Sequence, residues 1–342
     1  MTVLHLAVEL DGDGAHPAAW RRAQHGPSEL LTARRTERVA RRAENAGFTL
    51  ATFDDAITPP GAGPLGRIGA VERAAFVAPL TTSIGLAPVV ATTYTEPFHV
   101  ASQLASLDHA SLGRAGWVVA AGTEPHRAWG RPPVTGDGLA REARDAVTVA
   151  RDLFDSWGDD AAIRDVTTGR YLDRAQLHYI DFVGETYSVK GPAIVPRPPQ
   201  GHVVVIAPHG LIPDPDVALV TTPQRVPDAP LTFLELEVAL DTDVPAEERL
   251  AALDAHTPWP RTGRPRHVGS AESLVERLRG LAGTVDGVRL HPLVLDEDLP
   301  VLSARVLPAL FESRTATRPR AGASLRTTLG LPRPANRFEV AS

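Results

Sequence analysis

The stretch SIGLAPVVATTYTEPFHVASQLASLDHASLGRAGWVVAAG (83–122) constrains the fold more than any other. Ile84 to Ala91 is apolar and β-branched, Glu96 to Ser106 has helical spacing, and Ala115 to Ala121 is apolar again. Buried apolar strands joined by a helix form a βαβ unit, because parallel neighbours need a crossover. The polar triplet Thr92-Thr93-Tyr94 falls just past the first of these strands. In a barrel of such units, that end of the strands carries the chemistry.

The same alternation extends over the chain. Val3 to Glu9 reads as a first strand, and Ser28 as the cap of a helix to about Asn45 that stops at Gly47. Arg34, Arg35, Arg38, Arg41 and Arg42 read as its solvated face, with Glu37 and Arg41 four apart and able to pair. Phe48 to Phe53 is the second strand, ending in Asp54-Asp55, and the Gly- and Pro-rich loop TPPGAGPLGRIG (58–69) is expected on the active face. Leu139 to Trp157 carries one apolar helical face. Residues 158–200 read as an excursion with a short strand pair near Tyr179 to Val189. Val203–Ala207, Val217–Thr221, Leu231–Leu240 and Gly287–Leu290 are further strands. Residues 241–268 read as loop, Ser270 opens a helix to Leu281, Val301–Phe311 is helical, and residues 315–342 resemble an extended C-terminal arm. The expected fold is α/β: a TIM (β/α)8 barrel forming one domain over 1–342, with the 158–200 insertion and the arm attached.

Several function classes fall away. With 41 acidic against 35 basic residues and no basic block, nucleic acid is not an expected partner. No apolar run approaches the ~18 residues of a membrane span, and MTVLHLAVEL is too short and acidic for a signal peptide. A cytoplasmic protein is therefore expected. The chain has no cysteine, which removes thiolate ligands and nucleophiles. Its 12 histidines include no HExxH, so no metal site is expected. GxSxG, GxxxxGK[ST] and GxGxxG motifs are absent, against hydrolase, nucleoside-triphosphatase and Rossmann chemistry.

What remains is a ring of polar residues at expected strand ends: Glu9, Asp55, Thr92, Thr93, Thr123, His126, His209 and His291. Asp54-Asp55 either binds a ligand or caps the loop that follows. His291 is a core histidine or a proton carrier, and His126 and His209 are the other candidates for proton transfer. Asp108, His109 and Arg114 read as structural, with an Asp108–Arg114 ion pair at the barrel's opposite end.

Four segments resemble a known family: residues 83–117, DLFDSWGDDA (152–161), HYIDFVGETYSVKGPAIVPRPPQG (178–201) and LRTTLGLPRPANR (325–337). They are similar to the bacterial-luciferase-like flavin monooxygenases, in the branch that contains nitrilotriacetate monooxygenase and the dibenzothiophene-sulfone and pristinamycin enzymes. The resemblance implies a TIM barrel using reduced FMN, supplied by a separate flavin reductase, to oxygenate a small organic substrate with dioxygen, commonly as a homo-oligomer. The cofactor does the oxygen chemistry, and the protein binds, orients and excludes water.

Residue by residue, the resemblance implies flavin contacts at Asp55 and at Thr92, Thr93 and Tyr94. Strand four departs: Trp117-Val118-Val119-Ala120-Ala121-Gly122 stands where this branch has Trp-Asn-x-Val-Thr-Ser. Leu139-Ala140 stands for an Arg-Tyr pair. Ala207-Pro208-His209-Gly210-Leu211-Ile212-Pro213 replaces the phosphate turn Ala-Gly-x-Ser-x-x-Gly, leaving His209, Arg127 or Arg131 for the phosphate. Residues 224–269 form a shorter segment than in full-length relatives. The alternative to a monooxygenase is a non-catalytic barrel of the same lineage that binds a small molecule or partners an active homologue.

Overall fold

The computed structural model describes residues 3–55, 66–124 and 126–339; residues 58–65 of the expected active-face loop lie outside these. The chain runs through β1 (His5–Glu9), α1 (Ala33–Ala46), β2 (Leu50–Phe53), α2 (Ala70–Val77), β3 (Gly85–Ala91), α3 (Pro97–Ala110) and β4 (Gly116–Ala120). Then come α4 (His126–Trp129), α5 (Asp137–Asp155), the hairpin β5 (Phe182–Val183) and β6 (Ser188–Val189), β7 (Val204–Pro208), β8 (Val217–Val220) and β9 (Leu231–Leu240). The last third holds α6 (Ala246–Asp254), β10 (Arg266–Gly269), α7 (Ala271–Leu281), β11 (Gly287–Pro292), α8 (Leu295–Val301), α9 (Leu307–Glu312) and α10 (Leu325–Leu329). Strands β1, β2, β3, β4, β7, β8, β9 and β11 pair in parallel in that order, and β11 pairs back onto β1, closing a TIM barrel. β10 adds to the upper end of β9, with Arg266 opposite Glu237. Among the described residues no helix is long and apolar enough to cross a membrane.

Alternation along each strand divides the core in two. Outward residues such as Leu6, Val8, Leu86, Trp117 and Val205 pack against the helices. Inward residues, among them Ala7, Leu50, Val89, Val118, Ile206 and Phe233, fill the barrel's interior. Leu325, Leu329 and Leu331 join this inner cluster from below, so the C-terminal segment forms the barrel's floor. Gly85 and Gly116 make room for it: a Cβ at Gly85 would stand 2.6 Å from Leu325 Cδ1, and one at Gly116 3.2 Å from Leu325 Cδ2.

Local signals explain most of the element ends. Gly47 stops α1 with φ 97°. Pro97 opens α3, and Glu96 caps it by accepting from Phe98 N and His99 N at 3.0 and 2.6 Å. Ser270 caps α7 through Ser273 N at 3.1 Å. Connections around β8 are short: residues 209–216 and 221–230 contain no helix, although a parallel crossover usually needs a dozen residues or more.

Five expectations are corrected. Helix α1 begins at Ala33, since Pro27–Leu31 forms a 3₁₀ turn and Thr32 is extended. Arg35 is buried: its guanidinium bonds Asp296 at 2.8 Å and Gly12 O at 2.9 Å, tying α1 to the loop after β1 and to α8. Residues 241–268 hold α6 and β10, whose mixed polarity hides them in a Pro- and Arg-rich stretch. The helix expected at Val301 starts at Leu295 and passes through a π turn at Leu302–Val306 before α9. Asp108 and Arg114 make no ion pair: Asp108 accepts from Ala115 N and Gln200 Nε2, while Arg114 donates to Ile84 O, Ala78 O and Thr81 O. Both still lie at the lower end of the barrel and serve the fold.

Candidate active site

At the upper ends of the strands the barrel opens into a cleft of ≈ 390 Å³ whose two walls differ in chemistry. Val89, Val118, Ala120, Pro208, Leu211 and Leu219 give an apolar wall from the β3, β4, β7 and β8 side. Glu9, Asp54, Glu235, Arg264, Arg289 and His291 give a charged wall from the β1, β2, β9 and β11 side.

The charged wall follows from strand register. Arg289 and Glu235 are cross-strand partners on β11 and β9, and Glu9 lies opposite Thr52 on β1 and β2. Arg289 Nε donates to Thr52 Oγ1 at 3.0 Å, Nη1 to Glu235 Oε1 at 2.9 Å, and Nη2 to Glu9 Oε2. Thr52 Oγ1 donates to Glu9 Oε2 at 2.8 Å, and Asp54 N to Glu9 Oε1 at 2.9 Å. Glu235 Oε1 also lies 3.3 Å from His291 Nε2 and 3.3 Å from Arg264 Nη2. One buried guanidinium thus holds two buried carboxylates, each further hydrogen-bonded, as burial of charge demands.

These contacts fix the ionisation. Burial alone would raise Glu9 and Glu235. The Arg289 charge for Glu9, and the His291 hydrogen bond with the Arg289 charge for Glu235, hold both carboxyls below their ordinary range. Burial pushes the His291 imidazole down, the hydrogen bond to Glu235 opposes it, and the charges of Arg289 and Arg264 add to the lowering, so the ring is neutral near neutral pH. Asp54 goes the other way: its immersion in the protein, with Glu9 and Asp11 nearby, pushes it up to about 6. Its side chain nevertheless opens onto the cleft and is exposed there.

A smaller hollow of ≈ 200 Å³ adjoins the cleft at Val89 and Ala120 and is lined by Asp55, Val90, Thr95 and Trp129 among others. Asp55 Oδ2 accepts from Ala70 N at 2.7 Å, at the start of α2. Thr92, Thr93 and Tyr94 are buried beside these spaces, with their hydroxyls turned toward the loop after β4. Thr92 Oγ1 donates to Ala120 O at 3.0 Å, Thr93 Oγ1 accepts from Gly122 N at 3.3 Å, and Tyr94 Oη accepts from Val134 N at 2.7 Å. Tyr94 holds φ 68°, which turns the chain sharply off β3.

Of the three candidate histidines, His291 lines the cleft. His126 sits on the short α4 with Nδ1 3.1 Å from Thr123 O, and His209 is half-exposed with Nδ1 3.2 Å from Asp228. Trp117 points outward, Nε1 donating to Val90 O at 3.2 Å, and leaves the cleft open. Sequence reasoning misses Arg289, Glu235 and Arg264. A signal is present in the i, i+2 pairs Glu235/Glu237 and Arg289/His291: charges on one face of otherwise apolar strands must pair in the interior.

The arrangement suits a flat ligand that lays one face on apolar side chains and presents hydrogen-bonding atoms along its edge. A flavin ring system meets that description. The loop after β7 offers no helix N-terminus for a phosphate, since Pro213 and Pro215 follow and no helix forms.

Comparison with known proteins agrees with this geometry. The family model for luciferase-like monooxygenases matches residues 15–218. N-acetyl-S-(2-succino)cysteine monooxygenase of Bacillus subtilis (strain 168) is 34% identical over 209 residues, 59% of this chain and 47% of that protein. This chain therefore spans about half the length of that relative. A component of pristinamycin IIA synthase from Streptomyces pristinaespiralis is 32% identical over 303 residues, covering 89% of this chain and 91% of that one. The solved structure of EDTA monooxygenase from Chelativorans sp. BNC1 superposes with a TM-score of 0.79 over 97% of this chain and 99% of that one, at 18% identity, and shares the fold. With the barrel, the mixed-wall cleft and these matches together, the chain belongs to the luciferase-like monooxygenase family.

Proposed function

We propose that the protein is a flavin-dependent monooxygenase that takes reduced FMN from a separate flavin reductase and oxygenates a small organic substrate. The observation that carries this reading is the cleft, with one wall apolar and one charged, at the strand ends where barrels of this kind do chemistry. Family membership favours it over a non-catalytic barrel.

Bound reduced flavin would supply the activation of dioxygen. The chain's own residues bind, orient and exclude water. Val89, Val118 and Ala120 offer the flat apolar bed, and Asp55 lines the adjoining hollow where the ring edge would lie, with Thr92-Thr93-Tyr94 running between its lining residues Ala91 and Thr95. For the phosphate the candidates are His209, Arg127 and Arg131, the last of which packs over the Tyr94 ring at 5.8 Å. In His291 the reading has a neutral imidazole, held by Glu235, that can hydrogen-bond a ligand without adding charge.

Anaerobic titration with oxidised and then reduced FMN, followed by fluorescence and calorimetry, tests the reading. Saturable binding of the reduced form at micromolar concentration is expected. No binding at millimolar FMN overturns it.

A further inference from the structure

We propose that Asp54 is the group by which this cleft recognises its substrate, and that the substrate is a small organic molecule carrying a protonated amine. The proposal rests on the reading of the cleft as the substrate site. It comes from an asymmetry among the carboxylates there.

Glu9 is paired with Arg289, and Glu235 with Arg289, Arg264 and His291. Just behind them Asp11 is paired with Arg73 at 2.9 Å and with Arg67 at 3.5 Å. Asp54 has no cationic partner among the described residues. Its Oδ1 accepts only the backbone N–H of Asp55, at 2.9 Å, and Oδ2 takes no hydrogen bond among the described residues. The nearest arginine on α2 does not serve it: Arg73 donates to the Asp54 carbonyl oxygen and uses Nη1 for Asp11.

The groups facing Asp54 are Glu9 from β1, Asp11 from the loop after β1, Arg289 from β11 and Arg73 from α2. Burial first, and then the charges of Glu9 and Asp11 against the pull of Arg289, push Asp54 up to about 6. A cation brought by a ligand would supply the partner that Glu9, Glu235 and Asp11 already have and Asp54 lacks among the described residues, and the carboxylate already opens onto the cleft. Beyond the bed given to the flavin, Pro208, Leu211 and Leu219 of the same cleft offer apolar surface for a hydrocarbon body. The rival group, Arg264, would suit an anionic ligand, but its guanidinium is already on Glu235 at 3.3 Å.

The test is a calorimetric titration of the full chain with benzylamine, benzyl alcohol and benzoate. Wild type, Asp54→Asn and Asp54→Glu are each measured at about pH 7.5 and about pH 5, on either side of the Asp54 titration. In wild type at the higher pH, benzylamine should bind roughly tenfold or more tighter than benzyl alcohol, a difference of about 1.4 kcal/mol. That preference should vanish in Asp54→Asn, survive in Asp54→Glu, and fall about tenfold at the lower pH as the carboxyl protonates while the amine stays charged. Benzylamine should also lower the titration midpoint of the Asp54 carboxyl carbon in NMR, a readout that holds even if a variant fails to fold.

Equal benzylamine binding by wild type and Asp54→Asn, an unmoved midpoint, or benzoate binding best would each overturn the proposal. The flavin titration stands apart. Flavin bound without amine preference removes this proposal alone, and amine preference without flavin binding removes the monooxygenase reading alone.

Discussion

Arg289 is the residue on which the upper barrel depends most. It is buried between two carboxylates and helps to hold both ionised against the effect of their burial. Replacing it in Arg289→Met leaves Glu9 and Glu235 without their cation, and we expect a loss of about 3–5 kcal/mol in urea unfolding near neutral pH. The Glu9 part of the pH profile should also change sign. In wild type both folded-state values lie below the ordinary 4.5, so their contribution is complete above that pH and is lost as pH falls through the lowered values. In Arg289→Met the largest opposition to the burial of Glu9 is lost and its value should rise above 4.5, so its contribution should grow as pH falls from neutral through the raised value, while Glu235 keeps His291 and Arg264. Unfolding midpoints across that range, followed by tryptophan fluorescence, check it. The same residue marks where the site stops being legible in the sequence. Glu9 and His291 stand at expected strand ends and can be found there. Arg289 and Glu235 sit one register step deeper, where an apolar residue is expected, and only their shared face with a neighbouring charge gives them away.

Among the elements, the relation of β3 and β4 to α10 shows how tightly the barrel floor is built. A Cβ at Gly85 would meet Leu325 Cδ1 at 2.6 Å and Leu50 Cδ1 at 2.9 Å. Gly85→Ala should therefore cost about 1–3 kcal/mol through overpacking. Combined with Leu325→Ala, the two changes should cost less than their sum by ~1 kcal/mol, since the smaller side chain removes the nearer of the two clashes. A double-mutant cycle in urea measures that coupling. The barrel strands, α3 and α7 are readable because local signals agree with the packing they enter, whereas α1 and α5 show through periodicity without a side-chain N-cap and the start of α1 is missed. α6 and β10 are not, since their composition is that of a loop and tertiary contacts decide them. The role of Leu325 is likewise invisible: nothing in ASLRTTLG (323–330) says that its apolar side chains enter a barrel whose strands lie far earlier in the chain.

At the scale of the whole molecule, the barrel closes in two places that are both late in sequence: β11 pairs with β1, and α10 seals the floor. Ending the chain after Arg320 should remove the burial of Leu325, Leu329 and Leu331, on the order of 5 kcal/mol or more and comparable to the net stability of many domains. Such a truncated chain should melt well below the full one and bind a dye for exposed apolar surface. The floor's position also has a consequence for biosynthesis. A ribosome making this protein releases the first strands long before their closing partner exists. At ~5–20 residues per second, even the final segment takes on the order of a second to follow the rest. Through that interval the nascent barrel is an open cup lined with valine, leucine and phenylalanine, so translational pausing late in the message should govern how much of the protein needs a chaperone to reach its native state.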